Sequence, residues 1–409
     1  LLGRARGSAV SADAERAYLA STLEGSTLSP PAFDTAGFER ISALRAKMTS
    51  VSGVTADTLL PDATLTEHGL KFINEVTPGA EIARVMGVDA SKVQDPVRVY
   101  GGMYHGKAPE ELAQKILDES IARGAFDKSR IVLYVPSGSG HVNPMPVAAS
   151  EYETLGDIAS VAMQYGKKPS VKSLDKVDDA TALFQSVLDK FHAHIDAMPE
   201  AGRPKLTAYG ESLGAWSVQD TWLQSGVEGL RSSGLDEVIN VGSPRFSGFR
   251  SRAIGLAGHK LDPTGTIFEF NDINELRALD RSARDGVRGY LLTHYNDPVN
   301  KFSPAMFVQR PEWLSRSENA MGVPRKMKWL PGVSGLQGVM DTINGTNPNA
   351  GILARTGHDY RADMAPVMAE VLGTGTTESQ LSRINGALTQ LELARVNMPK
   401  PTPRLAVAA

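Results

Sequence analysis

The chain has 409 residues, 41% hydrophobic and 22% charged, the balance of a globular protein with room for one large domain plus an appendage, or two ordinary domains. Its 43 Lys and Arg stand against 46 Asp and Glu for a formal charge of -3, so no basic surplus points to nucleic acid. The absence of cysteine excludes disulfides, thiolate metal sites and a cysteine nucleophile, and no apolar run approaches the roughly 20 residues that span a bilayer.

Residues 1–65 are rich in Ala, Ser and Thr, with weak helical spacing around 14–23 and 38–48, and read as an arm rather than a core. From about residue 96 the pattern changes. "PVRVYGGM" is a β-type run, "APEELAQKILDESIARG" has helical periodicity and stops at Gly124, and "RIVLYVPSGSG" is an apolar strand breaking into a Gly/Ser loop. A helix is expected over about 180–198, a strand at "KLTAYG", a helix from 213 to about 225, and strands at "EVINVG", "TIFEF" and "YLLTHY". An amphipathic region follows near 363–372, and residues 376–409 read as a helix and a disordered tail ending "PKPTPRLAVAA". Strands that are apolar throughout and alternate with helices predict the α/β class, a mostly parallel sheet with helices on both faces.

In such a sheet reactive groups collect beyond the carboxyl ends of the strands, and four exits carry candidate chemistry. In "YGESLGAW", Gly210-Glu211-Ser212-Leu213-Gly214 lies between a strand and a helix, where small flanking residues permit a tight turn that projects the Ser212 hydroxyl. The helix that follows aims its first N–H groups, beginning with Leu213, at negative charge developing on a bound acyl group. In "YVPSGSGHVNP", Ser137, Gly138 and Ser139 offer further N–H groups; a phosphate loop would need a Lys-Ser/Thr that is absent.

Asp297 in "LLTHYNDPVNKF" follows a strand and suits the carboxylate that orients an imidazole, with Asp272 in "FEFNDIN" as its competitor. His358 in "ARTGHDYRADM" is the candidate base, since an ordinary imidazole titrates near pH 6.5. Ser212, Asp297 and His358 stand in the chain order of one of the three familiar serine triads. His141, His294 and Trp313 are candidate pocket residues, and Trp313 and Trp329 fall in a stretch that suits a cap. His192 and His194 lie two apart on a helix, where side chains diverge, so no metal or cofactor is expected.

Several ordered blocks extend the pattern: "PVRVYGGM", "GAFDKSRIVLYVPSGSGHVNP", "GDIASVAMQYGKKPS", "YGESLGAW", "NVGSPRF", "HYNDPVNKFSP", "RPEWL", "MKWLPGV" and "GHDY". Together they resemble a family of bacterial alpha/beta-hydrolases, found mainly in actinobacteria, whose members often carry an N-terminal multi-spanning membrane region. The resemblance implies an alpha/beta-hydrolase domain over 66–375 with cap elements within 300–355. It implies Ser212 as nucleophile, Asp297 rather than Asp272 as acid, His358 as base, and the loop at Ser137–Ser139 in the oxyanion hole. The implied activity is cofactor-free cleavage of a small-molecule or lipid carboxylic ester through an acyl-enzyme. Two alternatives are acyl transfer to an envelope lipid or glycan, and a non-catalytic binding module. Attachment to the bacterial cell membrane is implied through a region absent from this chain. The Gly/Ser loop departs from the family, with Ser and His in place of Thr and Trp.

Overall fold

Seven apolar runs form seven strands: β1 Val97–Gly101, β2 Arg130–Val135, β3 Ala159–Met163, β4 Lys205–Glu211, β5 Glu237–Val241, β6 Ile267–Phe270 and β7 Gly289–Leu292. The computed structural model describes residues 66–102, 108–166, 176–245, 247–255, 260–314, 322–324, 326–345, 349 and 351–397; the arm at 1–65 and the tail past 397 lie outside them. All pairings between the strands are parallel, in the order β1-β3-β2-β4-β5-β7-β6, so the sheet is wholly rather than mostly parallel.

The strands lack polar alternation because both faces are covered. On β2, Ile131, Leu133 and Val135 enter one core with Val99, Val161 and Ala208, while Val132 and Tyr134 enter the other with Tyr100, Ala162 and Tyr209. Nine described helices have eight residues or more: α1 Glu67–Asn74, α2 Gly79–Met86, α3 Pro109–Ala122, α4 Pro144–Glu153, α5 Val177–Ala197, α6 Leu213–Asp220, α7 Val333–Gly345, α8 Met364–Leu372 and α9 Glu378–Asn397. α3 and α5 cover the first face through Leu112, Ile116, Phe184 and Phe191; α2, α4, α8 and α9 cover the second through Ile82, Met145, Met368 and Ile384.

Two elements have no counterpart among the sequence expectations, and one expected helix is shorter. β3, "ASVAM", carries no turn or alternation signal because it is short, small-residued and buried throughout. α4 is equally silent: all ten of its residues are buried, so it has no polar face to set a period. The helix expected from 213 to 225 stops at Asp220, and after a run of turns the chain restarts as a helix at Gly226, whose φ is 66°.

Beyond β7 the chain leaves the sheet. The described residues between 298 and 345 include a short helix Pro298–Lys301, the turns Pro304–Phe307 and Glu312–Leu314, and α7. Ser334 and Gly335 of α7 are buried, whereas Val333, Leu336 and Met340 are exposed, the reverse of an ordinary surface helix.

Two arginine–carboxylate pairs lock helices to the sheet. Arg98 of β1 grips Glu151 of α4 at 2.6 and 2.9 Å and also donates to the Phe72 carbonyl at 2.7 Å; both side chains are buried. Arg250 holds Glu269 in the same bidentate way. Removing one member of such a pair strands a buried charge. Arg98→Met is therefore expected to lower unfolding stability by about 3–5 kcal/mol in a denaturant titration. The double variant Arg98→Met/Glu151→Leu should recover most of the loss; equal losses in the single and double variants would show that the pair is not what matters.

Candidate active site

The site is built at the carboxyl edge of the sheet, beginning with the turn from β4 into α6. A Cβ on Gly214 would lie 2.0 Å from the Val135 carbonyl oxygen, and one on Gly210 would meet the Ala215 and Gly214 backbone at 2.7 Å. Both glycines are thus required by contact: α6 starts flush against the ends of β2 and β4. The turn is tight enough to hold Ser212 at φ 56°, ψ -119°, a region L-residues avoid and that persists only under surrounding constraint. The Ser212 N–H donates to the Val241 carbonyl at 2.9 Å, anchoring the turn to β5.

The loop after β2 closes on itself. Gly140 N–H donates to the Ser137 carbonyl at 2.8 Å and Ser137 N–H to the His141 carbonyl at 3.1 Å. From outside, Tyr100 Oη donates to the Gly140 carbonyl at 2.7 Å and Gln164 Nε2 to that of Ser139 at 3.2 Å. The Ser137 amide is therefore committed inside the loop. Those of Gly138, Ser139 and, across the turn, Leu213 have no hydrogen-bond partner among the described residues. Asn143 ties loop and turn together: its Oδ1 caps α4 by accepting from Met145 N–H, and its Nδ2 donates to Glu211 at 3.1 Å. Burial pushes the Glu211 carboxyl up, against the opposing hydrogen bonds from Tyr209 and Asn143.

Asp297 and Asp272 are separated by their partners. Asp272 caps the helix Ile273–Ala278, accepting from Asn274 and Glu275 N–H, and its other oxygen accepts from Asn271 Nδ2. Asp297 is fully buried; its Oδ1 accepts from Val299 N–H at 2.8 Å, leaving Oδ2 to His358 Nδ1 at 2.9 Å and to the Tyr360 hydroxyl at 2.6 Å. The His358 ring rests on Gly242, where a Cβ would meet its Cε1 at 2.7 Å, and Gly242 directly follows Val241, the residue that accepts from Ser212. Burial pulls the His358 pKa down, but Asp297, with Glu211 and Asp359, outweighs it, and the net direction is up.

The loops carrying Asp297 and His358 are laced together. Asn296 accepts from Gly357 N–H at 2.9 Å and donates to Thr356 at 2.6 Å. His294 places Nδ1 2.9 Å from the Gly357 carbonyl and Nε2 3.1 Å from Asp363, with its ring stacked on Tyr360 at 4.1 Å. His141 contacts His68 edge-on, and burial with nearby Arg395, His68 and Lys71 lowers its pKa to about 3. Trp313 is buried with its Nε1 donating to the Lys301 carbonyl, a strut behind the short helix Pro298–Lys301. Tyr360, Asp363, Glu211 and Asn143 belong to the site but were not singled out from the sequence. Tyr360 and Asp363 lie within five residues of His358, yet only the folded loops show what they touch. His194 packs on Phe126, and among the described residues no cluster of three or more potential ligands could hold a metal ion.

A parallel sheet with a strained serine at the turn from β4 into a helix is the alpha/beta-hydrolase fold. The chain belongs to an alpha/beta-hydrolase family, whose model matches residues 97–384. No curated protein matches it. Among solved structures it is similar to a cutinase-like protein from Cryptococcus sp. at 13% identity, over 42% of this chain and 80% of that one, with a TM-score of 0.25. It is also similar to an acetylxylan esterase at 14% identity, over 53% of this chain and 99% of that one, with a TM-score of 0.26. Among the described residues no helix is long and apolar enough to cross a membrane.

The depressed pKa of His141 has a consequence for stability. The unfolded chain binds a proton at this residue below its ordinary pKa of roughly 6.5, while the folded chain binds it only below about 3, so folding expels a proton between those values. Wild-type stability should therefore fall with acidification through this window relative to His141→Gln. The difference in unfolding free energy should move in the variant's favour by up to ~1.4 kcal/mol per pH unit, read from urea titrations at pH 4 to 7. A difference independent of pH would count against a neutral His141.

Proposed function

We propose that the protein is a serine hydrolase that cleaves carboxylic esters through an acyl-enzyme. The observation that carries this reading is the strained, partly accessible Ser212 at the head of α6, its N–H held by the Val241 carbonyl, together with the imidazole that Asp297 holds by Nδ1 and that rests on the next residue, Gly242. With Nδ1–H donated to Asp297, the other ring nitrogen, Nε2, carries the lone pair. His358 Nε2 takes the Ser212 proton as Oγ attacks the carbonyl carbon, then passes it to the departing alkoxide. Water enters and loses a proton to the same nitrogen as its oxygen attacks the acyl carbon; the bond to Ser212 Oγ then breaks, and Oγ takes the proton back from His358 Nε2, releasing the carboxylic acid.

The negative oxygen formed in each step is met by the Leu213 amide and by that of Gly138 or Ser139, which are free to donate; Ser137 drops out as a donor. Membership of a hydrolase family supports hydrolysis, and esters are less demanding than amides because an alkoxide leaves more readily than an amide anion. Residues 298–345 act as the cap, α7 lying across Pro298 and beside His358.

A fluorophosphonate probe tests the nucleophile: folded wild type should label and Ser212→Ala should not. Labelling that survives the substitution would sink the proposal. Asp297→Asn should cost on the order of 10⁴ in turnover of a p-nitrophenyl ester, while Asp272→Asn, a cap away from His358, should cost far less. Because the base must be neutral, turnover should rise with pH through the raised pKa of His358.

A further inference from the structure

A second buried imidazole stands behind the first. His294 has only acceptors at its two nitrogens: the Gly357 carbonyl oxygen at Nδ1 and the Asp363 carboxylate at Nε2. A carbonyl and a carboxylate cannot donate, so both contacts are hydrogen bonds only when both nitrogens carry protons. A neutral ring would turn one lone pair against an acceptor lone pair in a site closed to water, since the His294 and Asp363 side chains are 4% and 1% exposed. Of the charged groups around the ring, Asp363 and Asp297 favour the cation, and Arg355, 3.5 Å from the far oxygen of Asp363, opposes it from the side away from the ring; the Tyr360 face lies nearly parallel beneath, and His358 lies beyond Tyr360. Stacking on an aromatic face also favours a cation.

The group that His294 grips is the carbonyl of the residue preceding His358. The backbone N–H of His294 also donates to the Tyr360 hydroxyl, which in turn donates to Asp297. One residue thus fixes the backbone under the base and one donor to the acid. We infer that His294 is a positioning residue whose imidazolium, held by Asp363, clamps Gly357 and so sets His358, and whose loss of a proton sets the alkaline limit of turnover. This rests on His358 being the base. The two histidines then have opposite requirements: turnover rises as His358 loses its proton and falls as His294 loses its own.

The test is the pH dependence of kcat and KM for a p-nitrophenyl ester in the wild type, His294→Gln and Asp363→Asn. His294→Gln should lower kcat by about 10²-fold, the cost of a base misplaced by an ångström, with KM nearly unchanged, and should lose the alkaline limb. Asp363→Asn keeps the ring and removes its counter-charge, so the alkaline limb should move down by about 1–3 pH units while the acid limb stays. An alkaline limb common to all three proteins, or a change confined to KM, overturns the proposal. A measurement free of turnover and of folding defects is the imidazole ¹⁵N spectrum of the Ser212→Ala protein, with the His294 signal assigned by its loss in the His294→Gln double variant. Two protonated nitrogens at pH 7, where an ordinary histidine is mostly neutral, support the clamp; a neutral ring overturns it. If wild type neither turns over ester nor takes the fluorophosphonate, the hydrolase reading fails and the positioning role with it, while the spectrum still decides the charge.

Discussion

The contact between Gly214 and the Val135 carbonyl decides where everything else in the site stands. No side chain fits between them, so α6 begins against the end of β2 and its first amides emerge at the sheet edge. The turn that brings the chain there leaves no room for an ordinary backbone conformation at Ser212, and the strain is held by packing on both sides. β4 is the central strand, with β2 on one side and β5 on the other. On the proposed mechanism, the donors to negative charge on the β2 side lie in the 137–141 loop, and the proton-moving pair Asp297 and His358 comes from the β5 and β7 side, where Gly242 supports the His358 ring. The serine stands at their boundary because its strand does.

The same topology separates two aspartates that look alike locally. Each follows a strand and caps a short helix, but β7 lies next to β5 whereas β6 is the edge of the sheet. Asp272 spends both oxygens on its own turn. Asp297 caps with one oxygen, and the preceding Asn296 turns its amide to Thr356 instead, so Oδ2 remains for groups from the loop that follows α7. A capping aspartate becomes the partner of an imidazole when its strand is interior and its second oxygen has nothing local to hold.

Much of this was legible in the sequence where a chemical signal and a structural one coincide. Gly210 and Gly214 around Ser212, between an apolar run and a helix, give the turn; the positions of Asp297 and His358 follow from strand ends and a glycine before the histidine. Elements buried on every side were not legible. β3 and α4 show no period because no residue in them faces water. The supporting residues were hidden for another reason: Asn143 meets Glu211 across 68 positions, and His294 meets Asp363 across 69. Such pairs exist only through the crossing of distant loops. His294 was noticed for its place beside a strand exit, but its role depends on two acceptors that no local pattern specifies.

His141, His294 and His358 show how a fold assigns charge to one residue type. Burial alone lowers the pKa of each. His141 lies among Arg395, Lys71 and Arg361, which add to burial and keep it neutral. His294 lies between a carboxylate and a carbonyl, which overcome burial and move its pKa up. His358 has one carboxylate on one nitrogen and, on our reading, a serine that needs its proton removed on the other. Depth does not set the direction of the shift; the sign of the nearest fixed charge does, positive beside His141 and negative beside His294 and His358, and that sign is set by which loop passes each ring. The charge of the three rings is therefore specified less by the histidines themselves than by the placement of Asp297, Asp363 and Arg395 around them.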